Sequence, residues 1–146
     1  MAILNYTTKV NAERTAAEIQ KLLVRHKAMA VLNEYENGII THISFRVQTH
    51  HGVVSVRLPA HVDGVYKLLQ RESIRKEYKT KERATWVAWR ILKDWIEAQM
   101  ALVEVEMASL EQIFLPYIQT NTGETVYDKF LTGGFKALTD QGKPHE

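Results

Sequence analysis

The chain has 146 residues, of which 45% are hydrophobic and 25% charged, with a formal net charge of +2; this ordinary globular balance excludes a fibrous or disordered polypeptide. Cysteine is absent, which excludes disulfide frameworks, thiol nucleophiles and Cys-type zinc sites. No apolar run approaches 18 residues and the first nine residues lack the basic-then-apolar order of a signal peptide, so the expectation is a cytoplasmic protein that neither spans a membrane nor is exported.

Asn11 is a plausible N-cap for an amphipathic helix over residues 12–26, with Thr15, Ile19, Leu22 and Leu23 at helical spacing. Residues 28–58 alternate β-branched and aromatic with polar residues, punctuated by Asn37-Gly38 and His50-His51-Gly52. They predict three antiparallel strands joined by two tight turns. Two-residue turns would set Leu32 opposite Ile43, Ala30 opposite Phe45, Phe45 opposite Val56 and Val47 opposite Val54. The core face would then hold Ala30, Leu32, Ile43, Phe45, Val47, Val54, Val56 and Leu58. The other face would hold Met29, Val31, Asn33, Tyr35, Ile40, His42, Ser44, Arg46, Ser55 and Arg57.

After Pro59, Val62, Val65, Tyr66 and Leu69 mark a short helix, and residues 71–79 read as a charged connection. Thr80 can cap a long helix over residues 81–107, whose core arc would be Ala84, Val87, Ala88, Ile91, Leu92, Trp95, Leu102 and Val103. A short helix around Leu110 should end at Pro116, and another is expected near residues 127–130. The fold class is therefore α+β, a small antiparallel meander with helices on one face. Residues 1–133 read as one domain and residues 134–146 as a flexible tail.

Charge is unevenly distributed. Residues 71–93 carry eight Lys and Arg against three Glu, whereas residues 94–128 carry seven acids and no Lys or Arg. Within the basic stretch, Arg75, Lys76, Tyr78, Lys79, Lys81 and Arg83 interleave an aromatic with cations, a pattern suited to tracking phosphates. The adjoining helix places Trp86, Trp89, Arg90 and Lys93 on the side away from its core arc, followed by Ile96, Glu97 and Met100. Solvent-facing indoles are groups on which unstacked bases rest; the alternative is that this side packs on another helix or a second subunit. On the sheet, Tyr35, His42, Arg46 and Arg57 would form a second aromatic and basic platform, unless the C-terminal segment covers it.

Enzyme motifs are missing: there is no G-x-G-x-x-G, Walker loop, G-x-S-x-G or H-E-x-x-H. His50-His51 falls at a turn without carboxylates at metal-ligand spacing. Glu104 and Glu106 have no nucleophile beside them. The reading is a non-catalytic binding protein that uses no metal or cofactor.

Tyr6-Thr7-Thr8-Lys9, Phe45-Arg46-Val47, Val56-Arg57-Leu58-Pro59, residues 88–100 and Phe114-Leu115-Pro116-Tyr117 together resemble a family of small phage and prophage proteins, among them thermostable viral single-stranded-DNA-binding proteins that lack the OB-fold. The similarity runs to about Tyr127. It implies a host-cell cytoplasmic setting in DNA replication or recombination and assigns no individual binding residues. With charge and aromatic placement, it makes single-stranded DNA, or RNA, the expected ligand of a homo-oligomer. The oligomer follows from the apolar residues on both sides of the long helix. The alternatives are a phage counter-defence protein that sequesters a nucleotide signal or host protein, and a structural phage component.

Overall fold

Helix α1 (Ala12–Arg25) starts where the Asn11 side chain accepts a hydrogen bond from the Arg14 N–H, satisfying one of the donors that every helix start leaves open. Its buried stripe is Ala12, Thr15, Ala16, Ile19, Leu22 and Leu23, as the spacing predicts. The computed structural model describes residues 2–139.

Three strands follow, β1 (Ala30–Glu36), β2 (Ile39–Thr49) and β3 (Gly52–Pro59), in a meander with β2 central. Asn37 and Gly38 both have positive φ, 52° and 78°, the conformation of a two-residue hairpin turn that few other residue types adopt without strain. Glu36 pairs with Ile39 and Tyr35 with Ile40, as such a turn requires, but the next pair is Glu34 with His42. Thr41 is thus an extra residue in β2, a β-bulge, and its hydroxyl donates to the Glu34 carbonyl at 3.3 Å.

That single insertion corrects the predicted register of β1. Val31, not Ala30, lies opposite Phe45, and Asn33, not Leu32, lies opposite Ile43. Because side chains alternate, a slip of one residue exchanges the two faces of a strand. Ala30 and Leu32 leave the core face, and Leu32 is 61% exposed. Val31, Asn33 and Tyr35 take the core side, as does Ile40, which is buried. The second hairpin keeps its predicted register, with Phe45 opposite Val56 and Val47 opposite Val54.

Helix α2 (Val62–Arg71) and helix α3 (Lys81–Glu104) pack on the same side of the sheet as α1. Thr80 caps α3 by accepting from the Arg83 N–H. One buried cluster joins α1, the inner sheet face, Trp89, Ile96, Met100 and Phe114; a second joins Val65 and Leu69 of α2 to Ala84, Val87 and Ala88 of α3. A helix wedged between two such layers is apolar on more than one side. Helix α4 (Leu110–Phe114) and the turn Leu115–Tyr117 return toward β3, held by edge-to-face contacts of Trp95 with Phe114 and Tyr117 at 5.5 and 5.8 Å.

Beyond them, Ile118 bridges to Val56 and the Gln119 N–H donates to the Ser55 carbonyl at 2.8 Å, covering the free edge of β3. Helix α5 (Val126–Lys129), capped by Thr125, leads into helical turns at Phe130–Gly134 and Phe135–Ala137. Phe135 meets Tyr127 and Phe130 edge to face. The predicted tail thus contributes a helical turn as far as it is described, and its residues 140–146 lie outside the described residues. No helix among the described residues is long and apolar enough to cross a membrane.

Candidate nucleic-acid interface

The connection between α2 and α3 is a braced loop. The Gln70 side chain donates to the Lys79 carbonyl at 2.6 Å, and Lys79 Nζ reaches back to the Gln70 carbonyl at 3.4 Å. Within it, Lys76–Tyr78 form a helical turn that directs Tyr78 against Tyr6, edge to face at 5.4 Å. The two tyrosines, Ser73, Ile74 and Arg75 line an open cleft of about 660 Å³.

Arg83 closes one side of this cluster. Its guanidinium lies 5.6 Å from the Tyr78 ring centre and 4.8 Å from that of Trp86, while Nη1 donates to the Thr8 carbonyl at 3.1 Å. The hydrogen bond to Thr8 anchors the N-terminal segment to α3, and with the cation–π contacts on two rings it leaves Arg83 largely engaged within the chain. Lys81 Nζ sits 5.7 Å over the ring of Tyr66. Arg75 forms an exposed ion pair with Glu77 at 3.6 Å. Among the described residues Lys76, Lys79 and Lys81 have no carboxylate within ion-pair distance.

Arg75, Lys76, Tyr78, Lys79, Lys81, Arg83 and Trp86 are therefore brought together, as the charge pattern predicts. The rest of the predicted helix face is not part of this surface. Trp89 is fully buried, and its indole Nε1 donates to the Ile40 carbonyl at 3.2 Å; Ile96 and Met100 are buried with it. These side chains pack on the sheet and α1, so their position opposite α2 reflects a two-sided core. Arg90 pairs with Glu18 of α1, and Lys93 pairs with Glu97 one turn on, at 3.0 Å.

The predicted sheet platform is also redrawn. His42, Arg46 and Arg57 share the outer face, but the bulge places Tyr35 on the opposite side, where it is 55% exposed. Arg57 is held by Glu34 through Nε and Nη2 at 2.8 and 3.0 Å, a two-point contact that fixes the guanidinium plane. The hydrogen bond from Arg57 lowers the Glu34 pKa, against the opposing effect of burial, and the same bond raises that of Arg57. Burial, with the Arg57 charge beside it, holds His42 below the ordinary histidine value. Only Arg46 remains an exposed cation on this face without an ion-pair partner among the described residues.

Sequence reasoning missed Glu34, which has no visible link to Arg57 until the bulge sets the register. It also missed Tyr6 and Tyr66, whose pairing with Tyr78 and Lys81 depends on tertiary packing. Among the described residues no three His, Asp or Glu side chains gather into a metal-binding group. No protein-family model, curated protein or solved structure matches the chain.

Proposed function

We propose that this protein binds single-stranded nucleic acid, with single-stranded DNA the favoured ligand, through the braced connection between α2 and α3. The observation that carries the reading is the open Tyr6–Tyr78 cleft, lined by Arg75 and adjoined along the chain by Lys76, Lys79 and Lys81. Cations there neutralise phosphates with release of counterions, and the partly exposed rings of Tyr6, Tyr78 and Trp86 offer stacking surface to unstacked bases. A phage setting in replication or recombination follows from the sequence resemblance alone. Fluorescence anisotropy with labelled oligo-dT, the matching duplex and RNA, at two salt concentrations, tests the reading. Saturable, salt-sensitive binding favouring the single strand supports it; no binding to any of the three removes it.

Self-association belongs to the same proposal, on a different surface from the one predicted. Both apolar sides of α3 are covered within the chain, so that helix no longer argues for a second copy. The outer edge of β1 does, because it has no strand partner among the described residues, whereas the free edge of β3 is bridged by Ile118. Met29, Leu32, Tyr35 and Ile39 are each at least half exposed on or beside it. An unpaired edge with apolar flanks templates pairing with another strand. Antiparallel pairing of two β1 strands about Leu32 would set each Leu32 beside the partner's Leu32 on the outer face. It would also join two outer faces, each with its Arg46, into one surface.

A further inference from the structure

A second cleft shares no lining residue with the cleft of the basic connection. It is formed where the C-terminal segment folds over the outer sheet face, and it encloses about 520 Å³ between Arg57, His42, Pro59, Tyr117, Tyr127 and Asp128. That volume falls within the range of small-molecule sites, about 300–1,000 Å³.

The walls of the cleft are held from several directions. Trp95 supports Tyr117, Phe135 supports Tyr127, and the 118–119 bridge ties the segment to β3. Asp128 is fixed by a reciprocal cap with Thr125, its N–H donating to the hydroxyl at 3.2 Å and its Oδ2 accepting the Thr125 N–H at 3.3 Å.

The polar groups have a definite donor and acceptor character. Arg57 uses one hydrogen each of Nε and Nη2 on Glu34, which leaves neighbouring N–H donors on Nη1 and Nη2 for a two-point contact. Asp128 keeps Oδ1, and the second acceptor site of Oδ2, for a pair of donors. His42 contacts the Thr41 hydroxyl through Nδ1 at 3.0 Å, leaving Nε2 to donate or accept. The Arg57 charge is balanced by Glu34 and by Asp128, whose field also acts on it, so a phosphate gains little here. The chemistry asks for a neutral, flat ligand with an acceptor on one edge and N–H donors on the next.

We infer that this cleft binds a guanine base, with Arg57 donating to its O6 and N7 edge and Asp128 accepting from its N1–H and N2–H₂ pair. Guanine is the base that offers two acceptors to an arginine on one edge and two parallel donors to a carboxylate on the next. Tyr117, Tyr127 and Pro59 supply flat apolar contact for the ring. The base can come from a free guanine nucleoside or from a guanine within a strand; only the second source rests on the strand-binding reading.

Isothermal titration calorimetry with guanosine, adenosine, cytidine and uridine isolates the base from any phosphate contact. Guanosine should bind at least about tenfold more tightly than the other three, and both Asp128→Asn and Arg57→Lys should reduce that preference about tenfold. Circular dichroism on each variant establishes that it is folded, and Asp128→Asn, at an exposed position, keeps the test valid if Arg57→Lys unfolds. A dT decamer with one central dG should bind more tightly than plain dT₁₀ if the base arrives in a strand, and equally if the source is the free nucleoside. A Lys76→Ala, Lys79→Ala, Lys81→Ala variant should retain guanosine binding while losing dT₁₀ binding. Failure of dT₁₀ to bind the parent protein, with guanosine still bound, removes the strand reading and leaves this site intact. No saturable binding of any nucleoside, equal binding of all four, or guanosine binding indifferent to both substitutions overturns the inference.

Discussion

The indole Nε1 of Trp89, on α3, donates to the main-chain carbonyl of Ile40, on β2, at 3.2 Å across a separation of 49 residues. Ile40 lies beside the bulge at Thr41, so the bond ties the central helix to the place where the sheet departs from regular pairing. Both residues are buried, and a carbonyl there has no water to replace a lost donor.

Trp89→Phe should therefore destabilise the fold by about 1–3 kcal/mol, the cost of leaving a buried acceptor unpaired. Trp89→Ala should cost about 3–5 kcal/mol through the added cavity. Urea unfolding measures both. Oligonucleotide affinity of Trp89→Phe, measured where it is still folded, should equal that of the parent; a selective loss of affinity would return Trp89 to the binding surface.

The exposed cations around the α2–α3 connection and the partly exposed rings of Tyr78 and Trp86 should separate by their salt response. Replacing Arg75, Lys76 and Lys81 with Ala should weaken binding to every oligonucleotide sequence. It should also reduce the slope of log K against log salt by about 2, at roughly 0.7 per phosphate contact on a single strand. Trp86→Ala or Tyr78→Ala should instead weaken binding by about 1–3 kcal/mol with the slope nearly unchanged, because stacking releases no ions. An unaltered slope in the triple variant would show that these cations only face solvent.

Acid should weaken the outer sheet face in two stages. The folded pKa of His42 is depressed, chiefly by burial and then by Arg57, with Glu34 opposing and His61 and Glu36 as the other nearby titrating groups. Its neutral form is favoured by folding, so that stability is present above about pH 6.5 and is lost as pH falls through the lower folded value. Glu34 is depressed by its hydrogen bond from Arg57, so its contribution holds above about pH 4.3 and disappears below. Thermal unfolding from pH 8 to pH 3 should show both losses. His42→Gln should remove the first and Glu34→Gln the second. Because the Glu34–Arg57 pair is about one-third exposed, Glu34→Gln should cost only about 0.2–1 kcal/mol at pH 7.

The open β1 edge should govern self-association. Sedimentation of the parent at micromolar concentration should show a dimer or larger species. Leu32→Lys, at a solvent-facing position of that edge, should shift it toward monomer without loss of melting temperature, since charged edge residues block strand addition. A parent protein that sediments as a monomer, or a Leu32→Lys variant that associates as strongly as the parent, would rule out β1 as the contact.

Local pattern determined most of the architecture. The caps at Asn11 and Thr80, the 3.6-residue spacing of α1 and α3, and the alternation around Asn37-Gly38 and His50-His51 are short-range signals, and the elements they predict are present. Clustering of the basic residues between α2 and α3 was equally legible, because they are neighbours along the chain. What tertiary structure decided was which face of each element is covered. One inserted residue at Thr41 reversed β1, moving Tyr35 away from His42 and setting Glu34 against Arg57. The position of α3 between α2 and the α1–sheet layer buried Trp89, Ile96 and Met100 on a side that periodicity alone left open between a ligand surface, another helix and a second subunit. A helical period reports that a second apolar side exists, but whether it meets water, another copy or the chain itself depends on contacts between residues far apart in sequence.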